Sequence, residues 1–439
     1  MTNSVIPRPN ILYIHTHDIG RYAQPYGYAV PTPNIQALAE EGVLFRQAFC
    51  ANPTCSASRA ALLTGMYPHN NGMTGLAHRG WSLNDYSQHI VHTLRAAGYT
   101  TVLTGVQHVA SHQQGEPWRV IGYDRWLGND DPHERAIDYL ESEPEAPFFL
   151  SVGFFDTHRE FEPVSDAADP RYVRPPAPLP DTPETREDMA RFIASARTLD
   201  AKMGAVLDAL ARTGLAENTL VICTTDHGIA FPAMKCTLTD HGTGVMLIVR
   251  GPGGFEGGRV IDSLVSHIDL FPTLCDLLEI DPPDWLQGVS LMPLVRGEVQ
   301  AVRDEVFSEV NYHAAYEPMR AIRTPRWKYI RRFEDRTRPV LPNCDDGLSK
   351  TVWLEHGWAN LAPDREALYD LIFDPNEAHN LAGEQRVSEV LDELRGRLDA
   401  WMRATGDPLL EGRVPAPSGA VVNDIDGLSP REQPLPAEG

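Results

Sequence analysis

The chain has 439 residues, 42% hydrophobic and 22% charged, and its 60 acidic against 38 basic side chains leave a formal net charge of −22. That apolar content supports a large buried core and excludes wholesale disorder. The acidity excludes nucleic acid and anionic membrane as main partners, since both select basic surfaces, and no stretch approaches the roughly 18 uncharged apolar residues of a membrane span.

The opening MTNSVIPRPN lacks a basic segment followed by an apolar one, so the expected location is cytoplasmic. NILYI (10–14) reads as a buried strand that ends in His-Thr-His-Asp. Thr32-Pro33 opens a helix that Gly42 closes, with an N-cap hydroxyl and proline at the first helical position. Residues 60–64 and 90–97 read as helical, YTTVLTG (99–105) and PFFLSVGFF (147–155) as strands, and 184–213 as a long amphipathic helix. TLVICTT (219–225) is another buried strand, and 267–279 is helical. Strands alternating with helices predict an α/β fold with a large, mostly parallel sheet covered on both faces, over residues 1–295. Beyond that, short strands at 305–309, 319–324 and 327–333 and a helix at 387–404 predict a small antiparallel α+β subdomain over 296–412. Residues 413–439, rich in Pro, Gly and acidic side chains, read as an extended or disordered tail.

Four apolar runs end in polar clusters: His17-Asp18, Gln107-His108, Asp156-Thr157-His158 and Asp226-His227. Sites in open α/β sheets lie at the C-terminal edges of strands, so four clusters at four edges predict one convergent site. Cys55 stands where a polar loop passes directly into a helix, beside free amide groups that favour negative charge. Arg59 follows one turn later. The pair reads as a nucleophile prepared for an anionic substrate, or as a buried structural cysteine with an unrelated arginine. The other cysteines (50, 223, 236, 275, 344) are scattered without a Cys-x-x-Cys pair, which argues against a disulfide framework. His15 reads as core, His69, His78, Arg79 and His241 as loop residues, and 317–320 with the Cys344 loop as a cover for the mouth of the site.

CSASRAALLTG, with PNILYIHTHDIG, TTDHGIAF, GVQHV, FFDTHRE and ALYDLIFDPNEAHNL, resembles the type I formylglycine sulfatases of the alkaline phosphatase superfamily, closest to their heparan N-sulfatase (sulfamidase) branch. The resemblance implies an alkaline-phosphatase-like sandwich and a formylglycine made from Cys55 by a maturation enzyme. It assigns Asp18, Asp226, His227 and Cys55 to one divalent metal, with His17 as ligand or neighbour, and Arg59, His108, His158 and Lys235 to the sulfate. Four positions depart from the family pattern. His17 and His227 replace the usual aspartate and asparagine, which leaves calcium and manganese both open. Gln107 stands where many members have lysine, and Ala57 where most have proline.

The implied activity is hydrolysis of a sulfate ester or sulfamate on a small sulfated sugar or aryl-type substrate. A hydroxyl of the hydrated aldehyde attacks sulfur, His158 gives a proton to the leaving atom, and His108 deprotonates the second hydroxyl. His227 also resembles the phosphonate monoester hydrolases, so a phosphonate monoester or phosphodiester hydrolase is the alternative. A non-catalytic module that binds anionic sugars is a third. A homo-oligomer is left open.

Overall fold

Side chains alternate across a strand, so a strand covered on both faces must be apolar throughout. The computed structural model describes residues 8–164 and 168–437 and places eight strands in one sheet, the central ones buried on both faces. They are β1 (Asn10–Thr16), β2 (Val43–Phe49), β3 (Thr100–Gly105), β4 (Arg125–Trp126), β5 (Phe148–Gly153), β6 (Thr219–Thr225), β7 (Leu247–Arg250) and β8 (Arg259–Ser266). In β1, Ile11 and Tyr13 join one buried cluster while Leu12 and Ile14 join another. The order is β4-β3-β5-β1-β6-β7-β2-β8, and only β7 runs against its neighbours. The expected mostly parallel sheet is therefore present, with β1, β5 and β6 side by side at its centre. β2 and β8 escaped the sequence reading for physical reasons. Arg46 and Gln47 interrupt the apolar run of β2, and β8 is an edge strand whose first half faces outward.

The helix expected after Thr32 is α1 (Pro33–Glu41), but the Thr32 side chain does not cap it. Asp200, on the long helix Pro183–Arg212, accepts instead from the amides of Ile35 (2.9 Å) and Asn34 (3.1 Å). A carboxylate from a packed neighbour satisfies the free N–H groups better than the local hydroxyl. α2 (Cys55–Thr64) is buried along its whole length, and Gly65 ends it in the left-handed conformation (φ 67°).

A separate antiparallel sheet follows, of β9 (Val306–Tyr312), β10 (Tyr316–Arg323), β11 (Trp327–Arg332) and β12 (Glu366–Asp370), in the order β12-β11-β10-β9. The helix Ser388–Thr405 lays Leu391, Leu394, Leu398 and Trp401 on it, with Trp401 stacked 4.8 Å from Phe307. Ala61 of α2 belongs to the same cluster, so the small sheet and the Cys55 helix share a core.

Of the two readings of the tail, the described residues follow the extended one. Through residue 437 the tail is ordered: β13 (Val421–Val422) pairs with β14 (Leu435–Pro436), and Val414 and Ala420 are buried. The Tyr312 hydroxyl donates to the Val414 carbonyl, and the Asn423 amide to that of Ala314, each at 2.7 Å. Composition records what a segment can bury by itself and misses backbone bonds supplied by a neighbouring strand turn. Residues 438–439, and residues 1–7 on which the location rested, lie outside the described residues. Among the described residues no helix is long and apolar enough to cross a membrane.

Candidate active site

The strand edges deliver the expected clusters to one place. β1 hands over to His17 and Asp18, β6 to Asp226 and His227, and α2 begins at Cys55. One ligand atom from each of these five residues lies within 4.8 Å of all the others, and all five residues are buried. Asp18 (φ 49°) and, on the loop after β3, His108 (φ 59°) hold left-handed backbone that costs about 1 kcal/mol or more at a non-glycine residue. The loop carrying His108 crosses the end of β5 at Gly153, where a Cβ would stand 2.0 Å from the Val106 carbonyl. Only glycine allows that crossing.

The hydrogen bonds fix which atoms face the centre. His227 Nδ1 donates to the Gly228 carbonyl (3.0 Å), so the neutral ring carries its lone pair at Nε2, 3.4 Å from both Cys55 Sγ and Asp18 Oδ1. A lone pair facing a carboxylate oxygen is unfavourable without a cation between them, and a divalent ion is what this donor set fits. His17 Nδ1 stands 2.8 Å from Asp18 and 3.1 Å from Asp226. Arg59 donates to Asp226 Oδ2 (2.9 Å), the Thr16 carbonyl (2.8 Å) and His15 Nδ1 (2.5 Å). Its bonds thus run to Asp226 and the strand beneath it. Lys235 bridges Asp18 (2.8 Å) and Asp345 (2.9 Å).

These contacts set the charges. Burial pushes the carboxyls of Asp18 and Asp226 up, but the basic groups beside them, chiefly Lys235 for Asp18 and His17, His227 and Arg59 for Asp226, hold both below the ordinary range. Burial opposes the Lys235 charge, and Asp18 and Asp345 outweigh it, so Lys235 stays an ammonium. Burial lowers His17 to about 4 and holds His108 well below its usual value, so both rings are neutral near pH 7. The Cys55 thiol is pushed up, first by burial and then by Asp18 and Asp226 against Lys235 and Arg59. Burial and the two carboxylates therefore favour the thiol over the thiolate at Cys55.

His108 and His158 join His17 on the wall of a 560 Å³ cavity beside this centre. His158 Nδ1 donates to the Arg159 carbonyl (2.5 Å), and His108 Nε2 is 3.0 Å from Nδ1 of His78, whose ring stacks on it. Four features were not legible in the sequence. His15 lies in the core, as read, but its lone pair anchors Arg59, with Nε2 donating to Ser151 (3.2 Å). Asp345 reaches Lys235 from an unpatterned loop, and buried His313 lies near both. Arg320, expected at the mouth, is fully buried against Asp407. Glu317 instead accepts from Arg332 and Asn343 on the wall of a smaller cavity that Lys235 also lines.

A family model described as Sulfatase matches residues 9–136 and 129–280, and one described as N-sulphoglucosamine sulphohydrolase, C-terminal, matches 234–342. Human N-sulphoglucosamine sulphohydrolase is 30% identical, over 93% of this chain and 91% of its own length. An ulvan-active sulfatase of Formosa agariphila is 27% identical, over 91% of this chain and 76% of its own. The solved structure of BT1596, a 2-O GAG sulfatase, superposes with a TM-score of 0.71 at 25% identity, over 93% of this chain and 95% of that one. The matched length, and a five-donor centre built around the cysteine of the signature, place this chain in the sulfatase family of hydrolases.

Proposed function

We propose that this enzyme hydrolyses a sulfate ester or sulfamate of a small sulfated sugar or aryl-type substrate, with Cys55 converted to formylglycine by a maturation enzyme. The observation that carries this reading is the convergence of His17, Asp18, Asp226 and His227 on Cys55 at the first residue of α2. Ala57 stands in the first turn of that helix, where alanine fits as well as the proline usual in the family. Two imidazoles among the donors favour manganese over calcium, which prefers an all-oxygen shell. A divalent ion held there supplies Lewis acidity, and hydrated formylglycine supplies a hydroxyl nucleophile with a second hydroxyl on the same carbon.

The chain's own residues do the rest. Lys235, a fixed cation in a buried site, holds the anionic sulfuryl oxygens and reverses the repulsive field of the acidic protein. Arg59 holds Asp226 in place beneath them. His158 delivers a proton to the departing oxygen or nitrogen, and neutral His108 accepts one as sulfate leaves.

The test is the mass of the tryptic peptide Gln47–Arg59 from matured, active enzyme, after trapping with a hydrazide. An aldehyde at Cys55 is expected, and an intact thiol throughout active protein overturns the mechanism. His227 at the centre favours a second reading, a phosphonate monoester hydrolase. Sulfate and phosphonate esters of one leaving group distinguish the two, the sulfate being turned over faster under the first.

A further inference from the structure

The 560 Å³ cavity onto which His17, His108 and His158 open has a wall chemistry that narrows the substrate. Beyond its histidines, which also include His78 and His112, the wall is made largely by Leu103, Pro117, Trp118, Trp126 and Phe155. Trp126 is 42% exposed and Phe155 55% exposed, so both present ring surface to whatever enters. The Phe155 ring lies 4.7 Å from that of His158, beside the group that delivers the leaving-group proton.

Charge is nearly absent from this wall. Glu116 is its one carboxylate, and no lysine or arginine lines it among the described residues. Arg119 lies over the Trp118 ring at 4.8 Å and is not part of the wall. Gln107 is turned into its own loop: its Oε1 accepts from the amides of Val109 and Ala110, and its Nε2 donates to the Ala110 carbonyl (2.8 Å). Nδ1 of His78 and Nε2 of His108 stand 3.0 Å apart and share one hydrogen bond, so the two rings cannot both be protonated. A second anionic group in this space would find no fixed cation, since the His158 proton is committed to the leaving atom, and would meet Glu116. An uncharged ring finds flat aromatic faces.

We propose that this cavity receives the leaving group and selects an uncharged alcohol or amine with an apolar ring face, against acidic sugars and multiply sulfated fragments. The inference rests on the sulfatase reading above and deepens it. Lys235 binds the one sulfuryl anion, and the cavity discriminates by rejecting a second.

The test uses matured enzyme with formylglycine verified by mass, and two esters whose leaving groups have nearly the same acidity: 4-methylumbelliferyl sulfate and its 4-carboxymethyl analogue. The neutral ester is expected to show about tenfold higher kcat/KM, carried by KM, as for one like charge a few ångströms away. Glu116→Lys should cut that preference at least threefold by improving the acidic ester. Trp126→Ala should raise KM several-fold for both esters with kcat retained. Both residues are exposed, so the fold should tolerate the changes. Equal or better turnover of the acidic ester, or a preference that Glu116→Lys leaves unmoved, overturns the inference. Failure of the verified enzyme on both esters overturns the sulfatase reading itself and takes this one with it.

Discussion

At the edge of the large sheet His17, Asp18, Asp226 and His227 surround Cys55, and at the root of the small sheet His69, Glu309 and Asp407 come equally close. Both clusters are buried acidic groups with histidine, and they differ in where the positive charge sits. In the second, Arg320 lies among the carboxylates, giving Asp407 two hydrogen bonds (2.5 and 2.9 Å). The His69 ring and amide both bond Glu309. The cation is the protein's own and the cluster is complete. In the first, Lys235 and Arg59 each take one carboxylate oxygen, and the Nε2 lone pair of His227 is left facing Asp18 Oδ1 at 3.4 Å. Proximity of acidic and imidazole groups therefore does not mark a metal site. The mark is donors left facing one another after every side-chain cation has been placed.

That contrast can be broken or sharpened by experiment. The largest effect should follow Asp18→Ala or Asp226→Ala, each lowering kcat/KM by about a thousandfold or more, with bound metal lost. Steady-state kinetics and metal analysis of the same samples check both, and a chelator should reproduce the loss. Arg320→Ala should do the reverse: it should cost about 3–5 kcal/mol by stranding buried carboxylates, and leave kcat of the folded fraction unchanged. Urea unfolding followed with activity measures the two together.

The Arg320–Asp407 pair also has a defined pH dependence. Burial raises the Asp407 carboxyl, but Arg320 outweighs it and holds the group below its ordinary 3.8. A depressed carboxyl gives stability that is complete above the unfolded value and lost as pH falls through the folded one. A double-mutant cycle on the pair should therefore give the same coupling at pH 7 and pH 5, and a smaller one only below about pH 4. The smallest effect belongs to Asp345→Asn. Lys235 outweighs burial and holds the Asp345 carboxyl at about 2, so it is charged at working pH and opposes an incoming anion. Removing that charge should lower KM a few-fold with kcat little changed.

Much of the site was legible because the strands that carry it are buried on both faces. Their apolar runs are unmistakable, and the polar residues that end them, from His17-Asp18 to Asp226-His227, announce the sheet edge. β2 and β8 were not legible because an outward face admits Arg46 or Asp262 without penalty, and the apolar pattern dissolves. Arg320 misled in the opposite sense. An arginine in a strand reads as surface, and only the arrival of Asp407 from 87 residues away makes its burial tolerable.

The sequence by itself determined the α/β order, the cysteine at a helix start and the four polar strand ends. Each is a local consequence of periodicity, helix capping and the geometry of a parallel sheet. Tertiary structure alone decided which distant groups meet: His15 with Arg59 and Asp345 with Lys235 through their charges, and the tail with the turn between β9 and β10 through backbone hydrogen bonds. Those pairings join residues tens to hundreds of positions apart. Nothing in either segment encodes the partner, because burial penalises each charge alone and rewards the pair only once the fold has brought both into the same low-dielectric space.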